Sequence, residues 1–253
     1  MKSLFRLKCL SLLLCLIPVL SLSAQEDVTE IIRKMEQRMK GDAMYAELSM
    51  QTIRPRYTRE VSMKSWSLGN DYSLIFITAP ARDKGVGYLK RDKEIWNYLP
   101  NIDRTIKMPP SMMSQSWMGS DFSNDDLVRE STILEDYDHR ILAEEQLDGY
   151  DCWKIEMIPH PESSVVYSKV LLWVAKEKYF QMQVENYDED DELVSTMHFK
   201  DIKMMGGKEI PAVMEMIPSD KPGHKTVLTY HAIDFNPKIE PDFFSIQNLK
   251  QIR

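Results

Sequence analysis

Short runs in which apolar and polar residues alternate recur along most of this 253-residue chain, and they constrain its fold more than any other feature. Met44, Ala46, Leu48 and Met50 alternate with Tyr45, Glu47, Ser49 and Gln51. Tyr72, Leu74 and Phe76 share a run with Ile75 and Ile77; Trp153, Ile155 and Met157 alternate with Cys152, Lys154 and Glu156; Phe180, Met182 and Val184 alternate with Gln181, Gln183 and Glu185. A period of two places alternate side chains on opposite faces of a strand. Further strand-like runs occupy residues 86–90, 94–99, 139–145, 169–175, 193–202, 209–217 and 226–235. Gly69-Asn70, Asp148-Gly149, Gly206-Gly207 and Pro222-Gly223 separate many of them as turn signals. About ten or eleven strands with turn-length gaps specify an antiparallel meander, hence a curved sheet or barrel. Met44, Leu48, Trp153, Met157, Phe180 and Val184 are expected on its core side, with Glu47, Lys154, Glu156, Gln181 and Glu185 facing water.

One helix precedes the strands. Val28, Ile31, Ile32, Met35 and Met39 recur at spacings of three and four, which draws one apolar stripe along a helix. Asp27 fits its N-cap, Glu30 follows three residues on, and Gly41 fits the C′ position. A helix this short is marginal alone, so the stripe must be buried against the sheet.

Residues 1–24 read as a secretory leader. Lys2, Arg6 and Lys8 precede an apolar run from Cys9 to Leu22, and small residues Ser21, Ser23 and Ala24 stand before Gln25. The run is shorter than the ~20 apolar residues needed to span a bilayer. Cleavage near Gln25 would deliver residues 25–253 to the periplasm as one domain, since no repeat and no Gly/Ser-rich linker divides them. Losing those three cations takes the formal charge from −7 to −10. So acidic a chain lacks the basic face that nucleic-acid binding requires. Cys152 would then stand alone, which suits a buried small hydrophobe beside Trp153.

Residues 101–136 interrupt the meander. Met108, Met112, Met113, Trp117, Met118 and Phe122 crowd a short part of it, followed by Ser123-Asn124-Asp125-Asp126. Ser123 or Asn124 can cap a short helix through Leu127 and Val128, with both aspartates in its first turn. Methionine is flexible and polarisable, so such a segment can accommodate variable apolar groups. It can equally plug the open end of a small barrel. Both readings stand on sequence.

A resemblance enters with particular residues. Gly85-Val86-Gly87-Tyr88-Leu89, Trp96-Asn97-Tyr98-Leu99-Pro100, Arg104, Met118-Gly119-Ser120-Asp121-Phe122-Ser123, Asp126-Leu127 and the terminal Asp242-Phe243-Phe244-Ser245 resemble the bacterial outer-membrane lipoprotein-sorting protein family. That family is a branch of the LolA/LolB-like lipoprotein-carrier superfamily. The resemblance implies a mainly β fold: an unclosed antiparallel β-barrel, solvent on its convex side, with the N-terminal helix and short lid helices covering an apolar cavity. It implies a periplasmic carrier that holds the acyl chains of lipoproteins or another lipid and passes them toward the outer membrane. An inner-membrane transporter and an outer-membrane acceptor are the implied partners, with contact to the membrane itself only transient. Trp96, Tyr98, Leu99, Met108, Met112, Met113, Trp117, Met118, Phe122 and Leu127 are the expected lid and lipid-binding residues. Burying acyl methylenes is worth ~0.8 kcal/mol each, so no catalytic group is required for binding.

Catalytic signatures are missing from the sequence: there is no Gly-x-Ser-x-Gly elbow, no His-Glu-x-x-His and no phosphate-binding glycine loop. The histidines at 139, 160, 198, 224 and 231 are dispersed, although His198 and His231 fall on strands that could approach one another. Residues 188–192 are acidic but lack the glycine and ligand spacing of a calcium loop, and read as a solvated hairpin tip. No enzyme, metal or cofactor is expected. The alternative to a carrier is a non-catalytic periplasmic accessory subunit of an exporter, with a well-packed barrel that docks a partner.

Overall fold

The computed structural model describes residues 27–129, 133–163 and 165–252; the leader expected at residues 1–24 lies outside them. The elements run α1 (Val28–Met39), β1 (Ala43–Arg54), β2 (Tyr57–Leu68), β3 (Tyr72–Ala79), β4 (Gly87–Arg91), β5 (Glu94–Leu99), β6 (Arg104–Lys107), α2 (Ile133–Asp136), β7 (Tyr137–Leu147), β8 (Tyr150–Pro159), β9 (Lys169–Ala175), β10 (Gln181–Tyr187), β11 (Leu193–Met205), β12 (Lys208–Pro218), β13 (Lys225–Asp234) and α3 (Ile246–Gln251).

The 13 strands among the described residues join one antiparallel sheet in the order β6-β5-β4-β3-β2-β1-β13-β12-β11-β10-β9-β8-β7. The first and last strands therefore pair at its centre, and β6 and β7 are its two unpaired edges. This is the open, mainly β half-barrel, with two strands more than the alternation marked. In β2, Val61 and Met63 face the covered side whereas Trp66 and Leu68 join the opposite face, so its apolar residues change sides and no period emerges. The second extra strand, β6, has only four largely exposed residues.

The chain that joins β6 to β7 has to pass from one edge of the sheet to the other. Its described part, residues 108–129, lies as a strap across the inner face. There Met108, Met113, Trp117 and Phe122 pack with Leu48, Met50, Val61, Ile77, Tyr88 and Leu228. Helix α1 covers the other half: Ile31, Ile32 and Met35 pack with Ile155, Met157, Leu172, Val184 and Phe199. Asp27 caps α1 by accepting from the Thr29 N–H at 3.1 Å. Gly41 follows the C-cap without a left-handed φ; a Cβ there would stand 2.4 Å from the Phe235 carbonyl oxygen, so close approach is what requires glycine.

The convex side is less open to solvent than the resemblance implied. The closing segment folds onto it, placing Phe244 and Leu249 against Leu74, Phe76 and Leu89. A second outer cluster joins Cys152, Leu171, Trp173, Ala175, Phe180 and Met182. Phe180 therefore does not share a face with Val184, contrary to the alternation. The β9–β10 register slips between Gln181 and Gln183, and one extra residue turns the following side chains over. The same slip brings Gln181, expected in water, to the inner face beside Val184 and Asn186. Cys152 is fully buried and free; burial pushes its thiol up to about 11, which leaves it unreactive.

Candidate functional site

Between α1 and the strap the inner face is covered but not filled. A cavity of about 320 Å³ remains, at the lower end of the range for small-molecule sites. Its wall is rich in methionine: Met35 and Met39 from α1, Met44 from β1, Met63 from β2, Met157 from β8, Met197 from β11 and Met214 from β12. Ala46, Leu48, Ile75, Val184 and Leu228 complete the apolar surface. Long unbranched thioether chains can repack around ligands of different shape at little cost.

The cavity wall also carries polar groups, among them Glu36 from α1, Lys40 at its C-cap, Ser65 from β2 and Gln181 from β10. Asp125 and Asp126 come from the strap, Tyr167 from the β8–β9 loop and Asn186 from β10. The strap turn that carries them is a capped helix start: Asp126 accepts from the Ser123 N–H and hydroxyl, both at 2.7 Å, while its own N–H donates to Ser123 Oγ at 3.1 Å. The turn continues as a π-helical segment, Asp125–Arg129, rather than the α-helix expected. Burial pushes the Asp126 carboxyl above the usual carboxylate range, against the hydrogen bonds from Ser123 and Tyr167 that favour its charge. The Tyr167 phenol is likewise pushed up, by burial and then by the negative charge of Asp126.

The strap is fastened to the sheet by an ion pair and hydrogen bonds. Arg54 Nη1 donates to Asp121 Oδ2 at 2.8 Å and Nη2 to the Gly119 carbonyl at 3.1 Å. Asp121 also accepts from the Thr226 hydroxyl at 2.7 Å, and the Asp121 N–H donates to the same hydroxyl at 3.0 Å. Arg59 donates to the Met118 carbonyl at 2.9 Å and to Asp83 at 2.8 Å. Met118 and Gly119 both take positive φ, of 50° and 77°, so the Met-Gly step is where the strap reverses.

The ten residues expected to form the lid fall into separate places. Met108, Met113, Trp117 and Phe122 are buried together beneath the strap, and Met112, Met118 and Leu127 pack against them. Leu127 is the member of this set that borders the cavity. Trp96 and Tyr98 lie on the outer face with Phe244 and Leu249, and half-buried Leu99 ends β5. The cavity methionines escaped notice because each looks like an ordinary core residue on its own strand or helix. Their signal is collective: 17 methionines in the chain, more than its 13 prolines or 9 glycines.

His198 and His231 do not stand on neighbouring strands. β12 separates the strands of His198 and His231; His198 lies opposite Glu215, and His231 Nε2 contacts Ser49 Oγ at 2.7 Å. Residues 188–192 form an exposed turn closed by Asp188, whose carboxylate accepts from the N–H groups of Asp190 and Glu192. Among the described residues, no group of three His, Cys, Asp or Glu could hold a metal ion. No described helix is long and apolar enough to cross a membrane.

An open antiparallel half-barrel whose inner face is spanned by a strap and a helix defines the class as a LolA-type fold. Its solved neighbours agree. A DUF1329 family protein from Desulfovibrio piger superposes with a TM-score of 0.79 at 26% identity, over 87% of this chain and 97% of that one. A domain from Vibrio parahaemolyticus described as an outer membrane lipoprotein-sorting protein gives 0.79 and 26%, over 88% and 97%. A LolA superfamily protein from Nitrosomonas europaea gives 0.76 and 24%, over 88% and 99%. No curated protein matches the sequence significantly. A family model described as uncharacterized protein matches residues 69–251, and the chain belongs to that family.

Proposed function

We propose that this protein is a periplasmic carrier that takes the acyl chain of a lipoprotein or lipid into the methionine-lined cavity and passes it toward the outer membrane. The observation that carries this reading is the cavity itself: the inner face is roofed by α1 and the strap, yet about 320 Å³ beneath them is left unfilled and largely apolar. Removing apolar area from water yields roughly 25 cal/mol per Å², which suffices for binding without covalent chemistry. The role is non-catalytic. Loading from an inner-membrane transporter and delivery to an outer-membrane acceptor complete the proposal.

The second reading, an accessory subunit that docks a partner and carries nothing, draws support from the other half of the barrel. There Trp117 and Phe122, 0% and 1% exposed, fill the space between strap and sheet. Native mass spectrometry of protein purified from the periplasm, followed by organic extraction, separates the two. A carrier retains lipid mass that extraction removes, and binds a fluorescent fatty acid saturably. Absence of both overturns the carrier and leaves the docking subunit.

A further inference from the structure

The cavity between α1 and the strap has a finite capacity. In a close-packed interior, the unfilled space is what a ligand can take without displacing the protein. A methylene group is about the size of a water molecule, whose share of liquid volume is roughly 30 Å³, so about 320 Å³ holds about ten carbons.

Close packing bounds that space on both sides. Toward the strap, Trp117 and Phe122 are 0% and 1% exposed, and the Trp117 ring stands 5.4 Å from that of Tyr88 between centroids. The strap that carries them is tied by Arg54 to Asp121 and by Arg59 to the Met118 carbonyl. Under α1, Ile31, Ile32, Ile155 and Leu172 are fully buried. Rotating the wall methionines changes the shape of the space but adds little to its volume, because the thioether chains have nowhere else to go. The site is permissive of shape and strict in size.

We infer that the cavity takes one acyl chain of about ten carbons, so that its ligand is a single-chain amphiphile rather than a lipid of two or three long chains. This rests on the carrier reading and sets its capacity. Carbons beyond that length, and any second chain, stay in water and contribute no transfer free energy.

The test holds the head constant and varies the chain. Hexanoate, octanoate, decanoate, dodecanoate and tetradecanoate are titrated calorimetrically into the full chain below their micellar concentrations. Affinity is expected to rise about fourfold per methylene, then level off at about ten to twelve carbons, with tetradecanoate within about twofold of dodecanoate. A further rise of about fifteenfold from dodecanoate to tetradecanoate overturns the inference and leaves the carrier standing. Monodecanoyl and didecanoyl phosphatidylcholine should agree within about threefold, and a didecanoyl lipid bound more than about tenfold tighter also overturns it. Two wall substitutions supply a readout in each direction. Fully buried Ala46 borders the cavity, and Ala46→Leu should bring the levelling point down by about two to three carbons. Met214→Ala should raise it by about as much, and it decides alone if Ala46→Leu does not fold. A levelling point unmoved in the folded variants overturns the assignment to this cavity. If no fatty acid binds, the carrier reading fails and this inference with it.

Discussion

Arg54 and Asp121 are 67 residues apart in sequence yet meet at 2.8 Å, with side chains only 9% and 4% exposed. This ion pair is the principal tie between the strap and the centre of the sheet. It is completed on the sheet side by Thr226, itself fully buried. Each partner's charge is tolerable only while the other is present. Asp121→Ala is therefore expected to destabilise the protein by about 3–5 kcal/mol, because it leaves the Arg54 guanidinium unpaired. Arg54→Met/Asp121→Leu should cost much less than either single change, since the double replacement leaves no orphaned charge. Urea unfolding of the three variants measures this; a double variant as unstable as the sum of two single truncations would refute it.

Gly41 supports a second prediction. A Cβ at this position would meet the Phe235 carbonyl oxygen at 2.4 Å and the Ala43 carbonyl oxygen at 2.9 Å. Both are backbone atoms, so neither can swing aside as a side chain would. Gly41→Ala should cost about 1–3 kcal/mol, the range for forced overpacking. Gly87→Ala should cost less, because its Cβ would meet the movable end of Leu249 at 2.5 Å. Thermal unfolding of the pair gives the order, and a less stable Gly87→Ala would reverse the argument.

How far the sequence reveals this molecule depends on the range over which each signal acts. Strand alternation is local, so Ala46-Leu48-Met50 and Trp153-Ile155-Met157 announce their inner faces directly. The bulge in β10 has no such mark: Met182 is as apolar as Phe180 and Val184, and only pairing with β9 shows that the face has changed. The strap was legible as an interruption, but its route from β6 to β7 depends on the strand order of the whole sheet. Trp96 and Tyr98 could be placed on β5, yet which side the closing segment would cover is a long-range outcome. The cavity was hardest to see. Its methionines come from elements up to 179 residues apart, counting from Met35 to Met214, and none of them departs from its local pattern.

Asp126 yields a pH dependence of definite sign. Its folded-state pKa lies above the unfolded value because burial outweighs the hydrogen bonds to its carboxylate. The folded protein thus holds this proton more tightly than the unfolded chain does. Its contribution weakens the fold as pH rises from the ordinary carboxylate value of about 3.9, and the penalty is complete once pH exceeds the folded pKa. Asp126→Asn keeps an acceptor for Ser123 and removes the titration. The stability of Asp126→Asn relative to wild type should therefore improve as pH rises above about 4 and level off once the folded-state carboxyl has ionised. Chemical denaturation across that interval reads the difference directly; a constant gap between the two proteins would show that the carboxyl does not titrate in this way.

The cavity and the strap can be told apart by two substitutions with opposite readouts. Met214 borders the unfilled volume and also packs against both inner clusters, so Met214→Trp should occupy the space an acyl chain would use. Loss of affinity for a fluorescent fatty acid should exceed about tenfold, since displacing contacts worth ~1.4 kcal/mol already gives that factor. Met112, Met113 and Met118 belong to the packing beneath the strap and do not border the cavity. Replacing all three with Ser should lower the unfolding midpoint and speed amide exchange in residues 108–129, while fatty-acid affinity measured well below the midpoint stays within about threefold. If the triple variant instead loses binding as strongly as Met214→Trp, the strap methionines contact the cargo themselves. The chain-binding surface would then extend beyond the cavity into the space that Trp117 and Phe122 now fill.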